Sequence, residues 1–190
     1  MGLIRNARFM RVAAAAVLAL SLFVGTTRSL GELSRKAEAT FYSGVRDEAE
    51  GYARPSANSQ LEARADAALG LVAVAANYGA QPETDNLRRA REAVLAADSI
   101  AGKGAANGEL GLRFDELCAK LAESGADGPF SLSERDAGLV SAYANDFRGA
   151  QRVIDSSGYN DEARKVLDAA SQFPASLFAV GAFVDYPDAF

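Results

Sequence analysis

The first 28 residues constrain this chain more than any other part of it. Three arginines precede an apolar and uncharged stretch, Val12–Gly25, and the first acidic residue is Glu32. A basic start followed by an apolar segment is typical of a bacterial export or anchor signal. The stretch is short for a bilayer core, which takes about 20 residues, although Arg11 can extend its charge to the headgroups. We therefore predict that residues 1–28 form a membrane anchor or a signal segment.

An uncleaved anchor and a cleaved signal remain alternatives, and the anchor is favoured. Cleavage needs small residues in an Ala-x-Ala-like arrangement, which Val24–Thr26 and Ser29–Gly31 match poorly. Basic residues are evenly divided between the two ends of the stretch, so only the amino terminus favours an N-inside orientation. We expect a single-pass protein of the bacterial plasma membrane. The predicted anchor side chains are Val12, Leu18, Leu20, Leu22, Phe23 and Val24.

The remaining residues, 29–190, have the composition of one acidic helical domain. The segment before them holds four arginines and no acidic residue, which leaves 16 basic and 25 acidic side chains. An acidic domain repels phosphate backbones, so nucleic acid is not an expected partner. Few prolines and apolar residues at helical spacing favour an all-α fold. We predict an N-terminal transmembrane helix followed by an antiparallel bundle of about four to five helices.

Local signals place the predicted helices of the first half. One helix covers Glu32–Tyr52 and is followed by a turn before Pro55. A second covers Ser56–Tyr78, with polar caps among its first residues. A third begins at Pro82, because proline is tolerated in the first turn of a helix.

In the second half, glycines and serines mark the predicted turns. Glycines at 102, 104, 108 and 111 predict a flexible connection before a shorter helix, Leu110–Ser124. Ser131–Glu134 has the pattern of a capping box that opens the next helix. That helix is expected to pause at Ser156–Gly158 and to end at Pro174. No strand is predicted.

Two segments of the chain have recognisable motifs. The first segment, from Gln60, has the pattern Q-L-x-x-R-A-D, followed by Leu-Val and a tyrosine; the second, from Tyr159, has Y-N-D and then Phe-Pro. These motifs resemble those of the LemA family of bacterial membrane-anchored helical proteins, and the resemblance covers about Ala57–Phe190. Where the family has Pro-Asn in its first motif this chain has Leu69-Gly70, so it is similar to a divergent member. The matching residues are Gln60, Leu61, Arg64, Asp66, Leu71, Val72, Tyr78, Tyr159, Asn160, Phe173 and Pro174.

The resemblance implies a membrane helix, a long antiparallel bundle and no established catalytic activity. It also makes another envelope membrane protein, such as a protease, a plausible partner by analogy alone. The bulk of the motif residues are expected to have structural roles. The oligomeric state stays open.

Three features of the motifs and the tail have alternative interpretations. Tyr159 and Asn160 could form a site that recognises a partner. Alternatively, the Tyr159 ring is buried and has a structural role, and we favour this second interpretation. Arg64 and Asp66 either bridge to other helices or are solvated, and the solvated state is favoured. The apolar tail caps the bundle or serves as a docking patch. The tail residues are Leu177, Phe178, Val180 and Phe183.

We expect no catalytic, cofactor or metal site. The chain has no histidine, which excludes histidine-based triads and the commonest zinc sites. Its one cysteine, Cys118, lies on an apolar stripe and is predicted to be a small buried side chain rather than a reactive thiol. The leading hypothesis is a non-catalytic, membrane-anchored interaction protein. The alternative is a secreted helical module that binds a ligand or a surface.

Overall fold

The computed structural model of the protein describes residues 2–47, 51–123 and 132–172, with side chains for 14–46, 51–123 and 132–172. It is mostly helical, as predicted, with a long apolar N-terminal helix followed by packed helices. In chain order the elements are α1 (Gly2–Ser43), β1 (Val45–Asp47), β2 (Tyr52–Arg54), α2 (Ala57–Ala75), a 3-10 turn (Ala76–Tyr78), α3 (Gln81–Ala96), α4 (Ile100–Glu123), α5 (Glu134–Asp155) and α6 (Gly158–Ser171).

The chain divides into two compact units. The first comprises the described parts of 1–37 and 161–187, and the second those of 38–160. In the second unit, α2 packs against α3 and α5, and α3 packs against α4. Its core is formed by large apolar side chains that are almost completely buried. They include Phe41, Leu61, Leu71, Leu87, Val94, Leu110, Phe114, Leu117, Leu121, Ile154 and Tyr159.

The first unit contains a small cluster in which Leu30 of α1 packs with Ala170 of α6. An ion pair lies in the same unit, where Glu162 accepts hydrogen bonds from Lys36 at 3.1 Å and Lys165 at 2.8 Å. The bond from Lys165, together with the bond from Lys36, lowers the pKa of the Glu162 carboxyl against the opposing effect of burial. This carboxylate therefore stays ionised and links the two helices.

The predicted helix Glu32–Tyr52 is wrong at its C-terminal end. Helix α1 ends at Ser43, and Gly44 has a φ of +73°, where an added Cβ would collide with the carbonyl oxygen of Arg54. Only glycine takes this conformation at little cost. The chain then forms an antiparallel hairpin in which Val45 pairs with Arg54, so the prediction of no strand is also wrong.

The predicted glycine-rich connection before Leu110 is wrong as well. Helix α4 runs without interruption from Ile100, and Ser99 Oγ accepts a bond from the Gly102 N–H near its start. Each glycine weakens a helix by roughly 1 kcal/mol relative to alanine, so packing of the buried side chains outweighs local propensity here. Residues 107, 110, 114, 117 and 121 form the buried face.

Cap positions at the other helices follow the predictions in part. Ser56 caps α2, its Oγ accepting from the Ser59 N–H at 3.0 Å, and the pause at Ser156–Gly158 separates α5 from α6. The cap of α5 is Ser133, whose Oγ accepts from the Asp136 N–H at 3.1 Å, so the predicted capping box is two residues out of place. The sequence also predicts a turn at Gly125–Pro129, which lies outside the described residues.

Candidate functional site

Two features of the described residues are candidates for a functional role: an exposed apolar helix surface and a buried arginine. The helical segment Ala14–Ser43 is long and apolar enough to cross a membrane. Only 6% of its apolar 18-residue stretch is buried inside the protein. A signal sequence near an N-terminus has the same properties. The exposed large side chains include Leu18, Leu20, Leu22, Phe23 and Val24. Val12 lies in α1, and its side chain is outside the described set.

Exposure of this surface has a direct physical consequence. Each large aliphatic side chain left in water forgoes roughly 1.5–3 kcal/mol of burial free energy. Contiguous exposed apolar surface of this kind marks a membrane or protein contact. A segment can enter lipid only if its backbone N–H and C=O groups are hydrogen-bonded within the protein. The backbone hydrogen bonds of helix α1 meet this requirement.

Arg64 lies inside the second unit, where its residue is 5% exposed. Its Nη1 donates to Oδ1 of Asn107 on α4 and to Oε1 of Gln151 on α5. Asn107 Nδ2 also donates to Gln151 Oε1, at 3.1 Å. Arg64 therefore links three helices, and the favoured prediction of a solvated side chain is wrong for this residue.

An aromatic pair forms one wall of the arginine site. The guanidinium carbon of Arg64 lies 3.9 Å from the centroid of the Phe147 ring, and that ring stacks on Phe114 at 3.8 Å and 6°. A cation over a ring face is attracted by about 0.5–2 kcal/mol, depending on desolvation. On another side, a Cβ at Gly111 would lie 3.3 Å from Nη2, so glycine leaves room for the guanidinium.

The electrostatic environment of Arg64 is set chiefly by desolvation. Burial lowers the pKa of its guanidinium to about 10, while the negative charges of Asp155 and Asp115 raise it. Arg64 therefore stays protonated at neutral pH. Its Nε is buried without a hydrogen-bond partner among the described residues, an uncompensated group of the kind that costs about 1–3 kcal/mol.

The remaining LemA-like residues lie mostly in packing positions. Leu61, Leu71 and Val72 are buried on α2, whereas Asp66 is exposed and lies 3.9 Å from Arg91. Gln60, the first residue of the first motif, is half-buried.

Tyr78 joins the end of the α2 segment to the start of α5. Its hydroxyl donates to Asp136 Oδ2 at 2.5 Å and accepts from the Ser133 N–H at 3.2 Å. The bond from Tyr78, with a second from Ser133, lowers the pKa of the Asp136 carboxyl.

In the second motif, Tyr159 and Asn160 are both buried, and the Tyr159 ring packs edge-on against Phe41 with centroids 5.2 Å apart. The observed burial of the Tyr159 ring agrees with the interpretation that the sequence favoured. Phe173 and Pro174 lie outside the described residues. So do the four tail positions, Leu177, Phe178, Val180 and Phe183.

Cys118 is half-buried on α4. Burial, followed by the nearby charge of Asp115, raises the pKa of its thiol to about 11. A thiol with so high a pKa is a poor nucleophile at neutral pH. Within the described ranges, no group of three or more acidic or cysteine side chains is placed to hold a metal ion.

Sequence reasoning missed Asn107 and Gln151. The sequence contained a signal for Asn107. This residue lies three positions before Leu110, so it is on the same helix face as Leu110, Phe114, Leu117 and Leu121. A polar residue in phase with a buried face predicts a buried hydrogen bond.

No protein family, no curated protein and no solved structure matches this chain. The LemA resemblance therefore stays a prediction that is carried by the motif residues alone.

Proposed function

We propose that this protein is a membrane-tethered helical-bundle protein of the bacterial envelope that acts by binding another membrane protein, without catalysis. The observation that carries the proposal is the exposed apolar surface of α1, since side chains such as Leu18 and Leu22 are more than half exposed. Transfer of this apolar surface from water into lipid is favourable, because it removes the free-energy cost of exposing the side chains to water.

The length of the segment supports an anchor that sits tightly in the bilayer. Sixteen residues separate Arg11 from Arg28, which corresponds to about 24 Å of helix at 1.5 Å per residue. A hydrocarbon core is about 30 Å thick, so the arginine side chains reach outward to the headgroups and the bilayer thins locally.

The continuity of α1 also favours an uncleaved anchor over the alternative of a secreted module. Both candidate cleavage positions, Val24–Thr26 and Ser29–Gly31, lie inside the helix. A helical segment does not present the extended chain that a peptidase binds. We propose an N-inside orientation on the amino terminus and on Arg5, Arg8 and Arg11, which Arg28, Arg35 and Lys36 nearly balance.

The proposed binding surface is the outside of the bundle, where large apolar residues are interspersed with charges. Leu69 of α2, Leu95 of α3 and Leu112 of α4 are about half exposed. The LemA-like motifs fit this proposal, because their described residues mainly support packing. A tether raises the local concentration of the bundle at the membrane and reduces the affinity that a partner needs.

Photocrosslinking in intact membranes tests the proposal. A benzophenone side chain is introduced at Leu95 or Leu112 in the full-length protein, and crosslinked products are identified by mass spectrometry. We expect a single envelope protein to be captured at one of these positions. Capture of the protein alone at both positions favours self-assembly and contradicts the proposed role.

A further inference from the structure

Protein packing limits how much of α1 lipid can contact. The helix continues to Ser43, but its side chains are exposed without a break only over residues 14–25. Leu30 is 2% exposed and packs with Ala170 of α6, and Phe41 is completely buried. The C-terminal part of α1 is therefore committed to contacts within the protein and cannot lengthen the membrane segment.

Charged residues mark both ends of the exposed apolar surface. In the sequence, Arg11 precedes this surface and Arg28 follows it. The Arg28 side chain is 80% exposed and pairs with Glu32 at 3.2 Å, one turn farther from the apolar residues. Charged side chains are costly in the hydrocarbon core, so this pair belongs at the headgroups or in water. The sixteen residues between the two arginines, the lipid-facing stretch, give about 24 Å of helix.

Hydroxyl groups in the lipid-facing stretch are satisfied inside the helix. Ser21 Oγ donates to the Val17 carbonyl oxygen at 2.8 Å, and Thr27 Oγ1 donates to the Phe23 carbonyl oxygen at 2.9 Å. Side chains bonded in this way enter hydrocarbon without leaving an unpaired donor. Charge and packing at its ends, rather than polar groups within it, therefore limit the stretch.

The lipid-facing stretch is shorter than an ordinary bilayer core, and the protein has little freedom to compensate. A typical core is about 30 Å thick, which is about 6 Å more than the stretch provides. Moving α1 deeper would bring the Arg28–Glu32 pair into hydrocarbon and would separate Leu30 from Ala170. Tilting the helix would increase the difference, because a tilted helix spans less of the bilayer. The lipid is then the component that adapts.

We propose that α1 selects short-chain phospholipids as its neighbours, so that the protein concentrates in the thinner regions of its membrane. This inference rests on the proposed membrane tether. The property that α1 recognises is acyl-chain length, since a core of about 24 Å covers the lipid-facing stretch without deformation and leaves both arginines at headgroup level. In a thicker bilayer, each neighbouring lipid must compress, which disfavours long chains at the helix surface.

Tryptophan quenching by brominated lipid tests this preference. The chain has no tryptophan, so Leu18→Trp provides a single reporter in the lipid-facing stretch. The full-length protein is reconstituted in vesicles that mix brominated dioleoyl phosphatidylcholine with unlabelled phosphatidylcholine carrying dimyristoleoyl, dioleoyl or dierucoyl chains. The loss of quenching gives the relative binding constant of each unlabelled lipid. We expect the constant for the dimyristoleoyl lipid to exceed that for the dierucoyl lipid by about threefold or more, with the dioleoyl lipid between them.

Two further variants, each in the Leu18→Trp background, separate length from hydrophobicity. Insertion of four leucines between Leu20 and Ser21 lengthens the stretch by about 6 Å and should move the preference to the dioleoyl lipid. The matched control adds as many leucines at exposed positions without added length, and it should keep the preference for the dimyristoleoyl lipid. Its substitutions are Ala14→Leu, Ala15→Leu, Ala16→Leu and Ala19→Leu.

The outcomes distinguish this proposal from the tether on which it rests. Quenching with equal binding constants for the three lipids, or a preference for the dioleoyl lipid before the insertion, overturns the chain-length preference alone. The same shift in the control as in the insertion variant also overturns it, because hydrophobicity rather than length would then decide. Absence of quenching in every vesicle contradicts the membrane tether itself, and the lipid preference with it.

Discussion

Arg64 of α2 lies over the Phe147 ring of α5, its guanidinium carbon 3.9 Å from the ring centroid. The same side chain donates to Asn107 and Gln151, so one cation holds three helices in register. A buried cation is costly unless its surroundings compensate, and here the ring and two amide oxygens offset part of that cost. Among the described residues, no carboxylate forms an ion pair with Arg64. The interior of the bundle is consequently specified by polar as well as apolar contacts.

Substitution of Arg64 tests this arrangement. We expect Arg64→Ala to lower the free energy of unfolding by about 3 kcal/mol, because Asn107 and Gln151 lose their partner and a cavity opens beside Phe147. Arg64→Lys should have an intermediate effect, since lysine cannot stack as a planar group. Chemical denaturation of the full-length protein in micelles measures both effects.

The matched control for this series is Arg89→Ala, which removes an exposed arginine of α3 and should change the free energy of unfolding by less than about 0.5 kcal/mol. Equal effects of Arg64→Ala and Arg89→Ala would show that the buried network does not stabilise the bundle.

Two glycines with opposite surroundings give a second test. A Cβ at Gly70 of α2 would overlap the Tyr143 ring of α5, whereas a Cβ at Gly108 of α4 would meet no atom within 4 Å. We expect Gly70→Ala to destabilise the protein by about 1–3 kcal/mol through overpacking. Gly108→Ala should stabilise it by about 0.5–1 kcal/mol through helix propensity. Thermal melts of the two variants check the signs, and destabilisation by Gly108→Ala would contradict a continuous α4.

The Tyr78–Asp136 hydrogen bond makes stability depend on pH. The bond lowers the pKa of the Asp136 carboxyl in the folded state, so its contribution is present above the unfolded-state pKa and is lost as pH falls through the folded value. Tyr78→Phe should therefore lower Tm at pH 7. The difference from wild type should shrink as pH falls below about 4. A difference that is constant between pH 7 and 3 would exclude this link.

Cys118 should resist alkylation in the folded protein. Because burial raises its pKa to about 11, the thiolate fraction at pH 8 is far below that of an ordinary thiol. We expect iodoacetamide to react at least tenfold more slowly with the native protein than with the same protein in denaturant. Equal rates, followed by mass spectrometry, would place the thiol in a solvent-exposed site.

Parts of this fold follow from local signals, and those parts could be predicted. Ser56 caps α2, and Pro82 lies in the first turn of α3, because each acts on groups within a few residues of itself. The apolar α1 likewise follows from composition alone.

Other parts depend on contacts that no local pattern encodes. Leu33, Ala37, Phe41 and Val45 keep a helical spacing past the true end of α1, since periodicity contains no information on the left-handed backbone of Gly44. The glycine-rich start of α4 is helical because Asn107 and its neighbours are buried against other helices.

The burial of Arg64 shows the same limit at the candidate site. Its partners are 43 and 87 residues away along the chain, so a helical stripe cannot distinguish a bridging arginine from a solvated one.

Membrane extraction measures the central claim most directly. Cell membranes are washed with alkaline carbonate, and the protein in each fraction is identified by intact mass. We predict that the protein stays in the membrane pellet with the apolar segment Val12–Gly25 intact. A double substitution, Leu18→Lys with Leu22→Lys, should release the protein, because each lysine costs about 2.5–3.5 kcal/mol near the centre of a membrane helix. Leu95→Lys, an equally apolar-to-charged change on the bundle, should leave it in the pellet. Wild-type protein in the carbonate supernatant, or a product that lacks Val12–Gly25, would contradict an uncleaved membrane anchor.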